Sequence, residues 1–219
     1  MEVASLSRRD RERLARRRAM LDAALAVFAQ KGYDGATLDE IAERAEFGKG
    51  TLYNYFPEGK ESILFALLDE MFAGMAALVR DHFESVQGDG RSARTHFRDL
   101  IARLLHHFTE NREVFFLLIK EAQRLMLTER KQLASIHHRR DQAMEALVEP
   151  ITRAVESGEL RPFPPIVIAH LMMGNVKGYL MYASPNPECE VKPGEDSATL
   201  EEAADFISTI LFDGLLPRD

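Results

Sequence analysis

A short segment in the first third of the chain, KGTLYNY, combines five polar side chains with a single glycine. An asparagine amide such as Asn54 can pair with adenine through two hydrogen bonds, the methyl group of Thr51 can touch a thymine methyl group, and the Lys49 ammonium can reach guanine or phosphate. The hydroxyl groups of Tyr53 and Tyr55 suit phosphate oxygens, which fix position without reading sequence. These residue types together predict a surface that contacts DNA.

The spacing within this segment predicts how a helix would present it. At about 100° per residue, Leu52 and Phe56 fall together as an i, i+4 pair that can anchor the helix to a core, while the polar residues face away. Gly50 weakens such a helix by roughly 1 kcal/mol relative to alanine. A DNA major groove about 12 Å wide admits a helix only when the backbone can come close. The glycine therefore indicates close approach rather than stability.

Two further helices are predicted before this segment. The first has apolar residues at i, i+3, i+4 and i+7 and a glycine at its end, and the second begins with a capping box and has its own inward-facing residues. The residues concerned are Leu21, Ala24, Leu25, Phe28 and Gly32 for the first helix, and Thr37, Leu38, Glu40, Ile41, Ala42 and Ala45 for the second. A tight turn then separates two short helices, as in a helix-turn-helix.

The residues after the polar segment predict the end of one helix and the start of another. Pro57 cannot continue the helix, and the chain from Pro57 to Lys60 begins another one. Lys60 would then lie at a helix N-terminus, where N–H groups and a cation together form a phosphate site.

Charge is distributed unevenly along the chain. The formal net charge is −7. Residues 1–60 nevertheless carry a net +1, with arginines at 8, 9, 11, 13, 16, 17 and 18. Placed just before the first helix, this arginine run can follow a DNA backbone or enter the minor groove, or it can be a solvated helix end.

Composition predicts a soluble, cytoplasmic protein with no membrane partner. The single cysteine, Cys189, cannot form an internal disulfide, and no apolar segment follows the N-terminal arginines. The longest run without a charge, residues 162–176, contains three prolines and is too short to cross a membrane.

The N-terminal pattern resembles the TetR family of bacterial transcriptional regulators. The matching residues are Ala23, Ala24 and Phe28, Lys31-Gly-Tyr33, Thr37 to Ala42, Ala45, Lys49 to Phe56, and Lys60-Glu61. The resemblance implies that Thr37 and Lys60 contact backbone phosphates and that Lys49, Gly50, Thr51, Tyr53, Asn54 and Tyr55 face the operator. Glu46 stands where the family usually has glycine, and Gly48 where it usually has a serine or threonine cap.

The rest of the chain reads as further helices. One long helix carries an apolar stripe from Leu64 and runs to about Val86, and others lie near 92–109, 112–127 and 129–157. The predicted fold is all-α with about nine helices. It has an N-terminal three-helix helix-turn-helix domain, residues 1–58, and a C-terminal helical domain for ligand binding and dimerisation, residues 59–219.

Two C-terminal helices carry apolar or small residues at spacings of three and four, which suits packing on each other or on a second copy. The resemblance favours a four-helix interface in a homodimer. Its predicted residues are Val167, Leu171, Gly174, Gly178, Met181, Leu200, Ala204, Ile207 and Leu211. A two-fold dimer would place two recognition helices about 34–36 Å apart, which predicts a palindromic operator.

The resemblance also implies a small-molecule effector, and the sequence does not identify it. Flexible methionines and aromatic rings would line a pliable apolar cavity, although any one of them is better explained by core packing. The residues predicted to bind the effector are Phe72, Met75, Phe115, Met126, Met172, Asn175 and Tyr179.

Two other functions remain open. The pairs His106-His107 and His137-His138 suggest a metal-dependent enzyme or metal sensor, but sequence neighbours on a helix point about 100° apart, so each pair offers one ligand at best. No HExxH, CxxC or phosphate-loop motif occurs in the sequence, so neither catalytic residues nor a cofactor are expected. A non-specific DNA-compacting protein is disfavoured by the acidic C-terminal part.

Overall fold

The computed structural model describes residues 7–110, 112–128, 130–182 and 197–213, with the backbone alone described for 126–128, 130–136 and 197–198. These residues form helices and no strand, as predicted. The helices are α1 (Arg8–Gly35), α2 (Leu38–Arg44), α3 (Lys49–Tyr55), α4 (Lys60–Ser85), α5 (Ala93–Glu110), α6 (Arg112–Thr128), α7 (Arg130–Glu156), α8 (Pro165–Tyr182) and α9 (Ser197–Asp213). Cys189 lies outside the described residues.

The first helix starts earlier than the sequence indicated. Ser7 caps α1 by accepting a hydrogen bond from the backbone N–H of Asp10, so the arginine run lies within the helix rather than before it. The predicted glycine stop is present: Gly32 has φ 70°, which interrupts the helical backbone close to the end of α1.

The second helix begins with the predicted capping box. The Thr37 hydroxyl accepts from the N–H of Glu40, and the Glu40 carboxylate accepts from the N–H of Thr37. Both orphan donors are therefore satisfied. Ile41 and Ala42 are buried, and α2 packs against both α1 and α3.

The fourth helix contains a long apolar segment. By length and composition it is the one described helix that could cross a membrane, and 44% of its most apolar window is buried within the chain. Ile63, Leu64, Leu67 and Leu68 are all buried, so its apolarity serves the protein core.

The chain forms two compact units. The first takes in α1–α3, α4 as far as Met71, and residues Glu113–Arg130, and so includes nearly all of α6. The second takes in the rest of α4 together with α5 and α7–α9. This division differs from the contiguous domains 1–58 and 59–219, which stay a prediction. Long-range contacts of α6 with the end of α1 account for its place in the first unit.

In the second unit, α5 packs against α8 and α9. The α5 face buried there includes Phe97, Leu100, Ile101, Leu104 and Leu105. At its surface Arg98 donates to Asp205 at 2.7 Å and to Glu201, both on α9. These contacts fix α9 on α5.

Candidate nucleic-acid interface

Helix α3 turns its polar residues outward, as the sequence predicted. Leu52 and Phe56 are 0% and 2% exposed and anchor it to the first unit. Lys49, Tyr53 and Asn54 are exposed, and Thr51 is half-buried. Tyr55 is half-buried as well. The helix therefore offers an amide, an ammonium group and phenolic hydroxyls on a face that the described residues leave uncovered.

Gly50 lies on this exposed face. A Cβ added at Gly50 would meet no described atom within 4 Å outside its own helix backbone. Packing within the chain therefore does not explain the glycine. Close approach of an external partner to the α3 backbone does explain it.

The turn between α2 and α3 contains a strained residue. Glu46 has φ 59°, and no other described non-glycine residue has a positive φ. The turn is closed by backbone hydrogen bonds from Glu46 to Glu43 O and from Phe47 to Ala42 O, both at 3.0 Å. The glycine that the family usually has here suits this conformation better, because a Cβ clashes in the left-handed region.

The turn between α3 and α4 requires its glycine. Gly59 has φ 66°, and a Cβ there would lie 2.9 Å from Leu38 Cδ1. Lys60 follows it, and its Nζ donates to the carbonyl oxygens of Tyr33 at 2.8 Å and Asp34 at 3.2 Å. Lys60 therefore ties the end of α1 to the start of α4. Its predicted phosphate contact stays a prediction.

One cleft brings four of the predicted DNA-binding residues together. It has a volume of about 630 Å³ and lies among α2, α3 and the start of α4. The predicted residues in its lining are Thr37, Lys49, Tyr53 and Lys60. The Thr37 hydroxyl uses its acceptor capacity on the capping bond and still has a proton to donate. A phosphate in the cleft would have hydroxyl and ammonium donors within reach.

Lys49 has a partner that sequence analysis missed. Its Nζ lies 2.8 Å from a carboxylate oxygen of Asp39 on α2, and this hydrogen bond raises the pKa of Lys49. The lysine stays protonated, but a DNA phosphate must compete with Asp39 for it. The two residues are ten positions apart and do not lie within one turn of each other in a single helix. The spacing in the sequence therefore does not indicate that they form a pair.

Cation contacts around Tyr33, which the sequence did not indicate either, stabilise the same part of the first unit. The Tyr33 ring has Lys60 Nζ 4.9 Å and Arg124 Cζ 5.4 Å from its centroid. Arg124, on α6, also donates to the buried carboxylate of Glu121 at 2.7 Å. Burial raises the pKa of Tyr33 to about 12, so its hydroxyl is neutral at physiological pH. These contacts place α6 in the first unit.

The predicted dimer residues divide into two groups. On α8, Val167, Leu171 and Met181 are 47%, 58% and 45% exposed, and Gly174 and Gly178 are exposed as well. The α9 residues behave differently. Leu200, Ala204 and Ile207 are buried within the chain and Leu211 is half-buried, because this stripe packs inside the second unit. The exposed face of α9 carries Phe206 instead, at 60% exposure.

The predicted effector residues differ in their exposure, and their role stays a prediction. Met75, Phe115 and Met172 are buried, Phe72, Asn175 and Tyr179 are half-buried, and the side chain of Met126 lies outside the described residues. Asn175 donates its amide to Leu171 O at 2.8 Å. Met172 lines a cavity of about 520 Å³ in the second unit.

Among the described residues, no group of three or more histidine, cysteine, aspartate or glutamate side chains is arranged to hold a metal ion. His106 Nε2 lies 3.7 Å from Glu201, and Arg140 donates a hydrogen bond to His137 Nδ1 at 3.2 Å. Within the described part of the chain, these two residues act in surface polar contacts.

The fold and the exposed α3 define a helix-turn-helix DNA-binding protein joined to a larger helical unit. A sequence model of bacterial regulatory proteins of the tetR family matches residues 20–67. RutR, a transcriptional regulator of Escherichia coli, is 25% identical over 227 residues that cover 99% of this chain and 98% of RutR. YuxN, an uncharacterized regulator of Bacillus subtilis, is 29% identical over 102 residues, 47% of this chain and 33% of YuxN.

Among solved structures, FadR from Bacillus subtilis in complex with stearoyl-CoA superposes with a TM-score of 0.70 at 20% identity, over 90% of this chain and 98% of FadR. Taken with the family match, this similarity extends the likeness from the N-terminal helices to nearly the whole fold. Residues 20–67 therefore match the TetR family of regulators, and the chain as a whole is similar in sequence to a transcriptional regulator.

Proposed function

We propose that the protein is a repressor that binds a palindromic operator as a homodimer and is released by a small, largely apolar effector. The observation that carries the DNA-binding part is the outward face of α3, where Asn54 and Tyr53 are exposed on a helix anchored by Leu52 and Phe56. Tyrosine and lysine would fix the helix on phosphates, and the asparagine would read a base edge. This role assigns no catalytic group, and it places the protein in the cytoplasm with its DNA.

The apolar surface of α8 supports the dimer. Val167, Leu171 and Met181 follow one another at helical spacing on one exposed face, and Gly174 and Gly178 would let a second helix come close. Contiguous exposed apolar residues of this kind mark interaction sites. A homodimer that places one α3 in each of two successive major grooves would have half-sites about 34–36 Å apart.

The cavity in the second unit supports the effector. Phe97, Phe163 and Met172 contribute apolar lining, and Arg94 and Arg161 contribute positive charge. Its volume of about 520 Å³ falls in the range of small-molecule sites. Leu171 belongs both to this cavity and to the proposed dimer face. A ligand bound there would therefore favour one dimer geometry over another and so change operator affinity.

The test uses two lysines in matched surroundings. Lys49 on α3 and Lys31 on α1 have side chains 51% and 49% exposed, and each pairs with a carboxylate on α2. We expect Lys49→Ala to weaken binding to a palindromic fragment from upstream of the protein's own gene by about tenfold or more, since one specific contact is worth roughly 1–3 kcal/mol. Lys31→Ala removes the same charge from the same unit and should change the affinity by less than about threefold.

The measurement is a gel shift or fluorescence anisotropy titration at fixed salt with excess random DNA. Equal losses in the two variants would refute the role of α3, because the effect would then follow net charge alone. Equal affinity of the unmodified protein for the palindrome and for random DNA would favour a compacting protein over a regulator.

A further inference from the structure

The N-terminal part of α1 is a separate feature from the helix-turn-helix. From Arg8 to Ala19 every residue except the half-buried Arg17 is exposed. Seven of these twelve residues are arginines, against Asp10 and Glu12. We call residues 8–19 the arginine arm. An isolated helix of this length is marginal in water.

Local interactions nevertheless favour the helical state of the arm. The Ser7 side chain accepts from the N–H of Asp10 and donates to its carboxylate at 2.6 Å. Asp10 lies in the first turn, where a negative charge suits the helix dipole. Arg8 donates to Glu12 at 2.9 Å one turn later. The arm is thus a capped continuation of α1.

The base of the arm is fixed to the first unit. Arg17 and Arg18 donate to the two carboxylate oxygens of Glu70 on α4, at 3.3 and 2.9 Å. The Arg17 guanidinium also lies 5.6 Å from the ring centroid of Phe56, the residue that follows α3. The arm therefore begins beside the C-terminal end of the helix that carries the DNA-facing residues.

Three arginines of the arm have no partner within the described part of the chain. Arg9, Arg13 and Arg16 make no hydrogen bond or ion pair there and are exposed. They stand at i, i+4 and i+7, which places them on one face of the helix. At 1.5 Å per residue they span about 10 Å, the axial rise of about three phosphate-to-phosphate steps on one DNA strand.

We propose that the arginine arm is a second DNA-binding element whose Arg9, Arg13 and Arg16 face holds the operator backbone. The inference rests on the proposed operator binding by α3 and extends it. The charge of the arm indicates its partner, because a row of guanidinium groups at phosphate spacing fits a polyphosphate backbone. The base of the arm also lies next to α3. Because phosphate contacts carry no sequence information, the arm adds affinity and salt dependence rather than specificity.

The experiment measures operator affinity against salt concentration, with the full chain. The triple substitution Arg9→Gln, Arg13→Gln and Arg16→Gln keeps helix propensity, since glutamine and arginine are similar helix formers. Each lost phosphate contact reduces the slope of log K against log salt by about 0.9. For two arms we expect the slope to fall in magnitude by about 2 to 5, with the preference for palindrome over random DNA unchanged.

Two control variants separate local contact from charge and from folding. Arg80→Gln, Arg103→Gln and Arg153→Gln remove three exposed arginines from the second unit, and this variant should keep the original slope. Arg9→Lys, Arg13→Lys and Arg16→Lys retain the positive charges. The salt slope of this variant should therefore differ from the original slope by less than about one. Circular dichroism and thermal unfolding check that each variant is folded.

The proposal is overturned if the glutamine variant of the arm and the control of the second unit have the same slope. It is also overturned if the arm variant keeps its operator slope but loses binding to vesicles of phosphatidylserine and phosphatidylcholine, which would assign the arm to an anionic membrane surface. Failure of the proposed function gives a different result: the unmodified protein would then show no preference for the palindrome at any salt concentration.

Discussion

Gly50 lies in the middle of the exposed face of α3, where the described chain leaves room for a larger side chain. We expect Gly50→Ala to raise the free energy of unfolding by about 1 kcal/mol, because alanine is the better helix former. The same methyl group would stand between the helix backbone and the base edges, so operator binding should weaken by about tenfold or more.

Gly74 provides the matched control. It is an exposed glycine inside α4, and an added Cβ there would also meet nothing described within 4 Å. Gly74→Ala should be stabilising to a similar extent, as measured by urea unfolding, and should leave the dissociation constant unchanged. If both alanine variants bind the operator as tightly as the unmodified protein, close approach of DNA does not explain the glycine in α3.

Glu46 combines a strained backbone with an unfavourable charge near the predicted DNA surface. We expect Glu46→Gly to raise the free energy of unfolding by about 1 kcal/mol, since glycine relieves a left-handed conformation that costs a side-chain residue about 1–2 kcal/mol. Glu46→Gln keeps the strain and should leave stability nearly unchanged. Both variants remove a negative charge and should bind the operator a few-fold more tightly at low salt.

Thermal unfolding and operator titration of the two variants separate these effects. A glutamine variant as stable as the glycine variant would show that charge, and not the φ of 59°, limits stability at this turn.

At the scale of elements, α6 is the helix whose contacts the sequence did not indicate. Arg124 joins it to Tyr33 at the end of α1 and holds the buried Glu121 carboxylate. Arg124→Ala would leave that carboxylate without this partner and remove one cation from the tyrosine ring. We expect a loss of about 1–3 kcal/mol in the free energy of unfolding, and weaker operator binding because Tyr33 and Lys60 support the α3–α4 corner.

The loss at Arg124 should come with an unchanged salt slope, since no phosphate contact is removed. Adding Glu121→Gln to Arg124→Ala removes the unpaired charge and should recover part of the stability. Arg153→Ala serves as the control, because Arg153 pairs with Glu149 on the surface of α7. A double variant no more stable than the single one would argue against the buried carboxylate as the cause.

At the scale of the whole molecule, most of the exposed large apolar side chains of the described residues lie on α8, on α9 and just before α8. Leu171 is 58% exposed in the centre of this surface. We expect Leu171→Glu to convert the proposed dimer to a monomer at micromolar concentration in sedimentation experiments, because charges are poorly tolerated in a packed apolar interface. Operator affinity should fall with it, since one protomer retains half of the contacts.

Leu14, 52% exposed in the arginine arm, is the matched position. Leu14→Glu should leave the sedimentation coefficient unchanged. A dimer that survives Leu171→Glu, or one that is lost equally in both variants, would exclude the α8 face as the interface.

Features governed by short-range spacing were predictable from the sequence. The capping box of α2, the Leu52 and Phe56 anchors, the outward Asn54 and the exposed α8 stripe each depend on residues within two turns of one another. The helical period and N-cap hydrogen bonds determine such features locally. For this reason the outward polar face of α3 and the bounds of most helices agree with the structure.

Features that depend on which distant elements meet were decided only by the tertiary structure. An apolar stripe shows that a helix face is buried and does not show against what, so the α9 stripe was assigned to a partner copy although its residues pack within the chain. The ion pair of Lys49 with Asp39, and the α6 contacts of Arg124 with Tyr33, join residues with no shared local period. The sequence by itself determined the helices and the outward polar side of α3, because local hydrogen bonding and periodicity suffice for these. The partners of α6 and α9 were set by long-range packing, which only the folded chain contains.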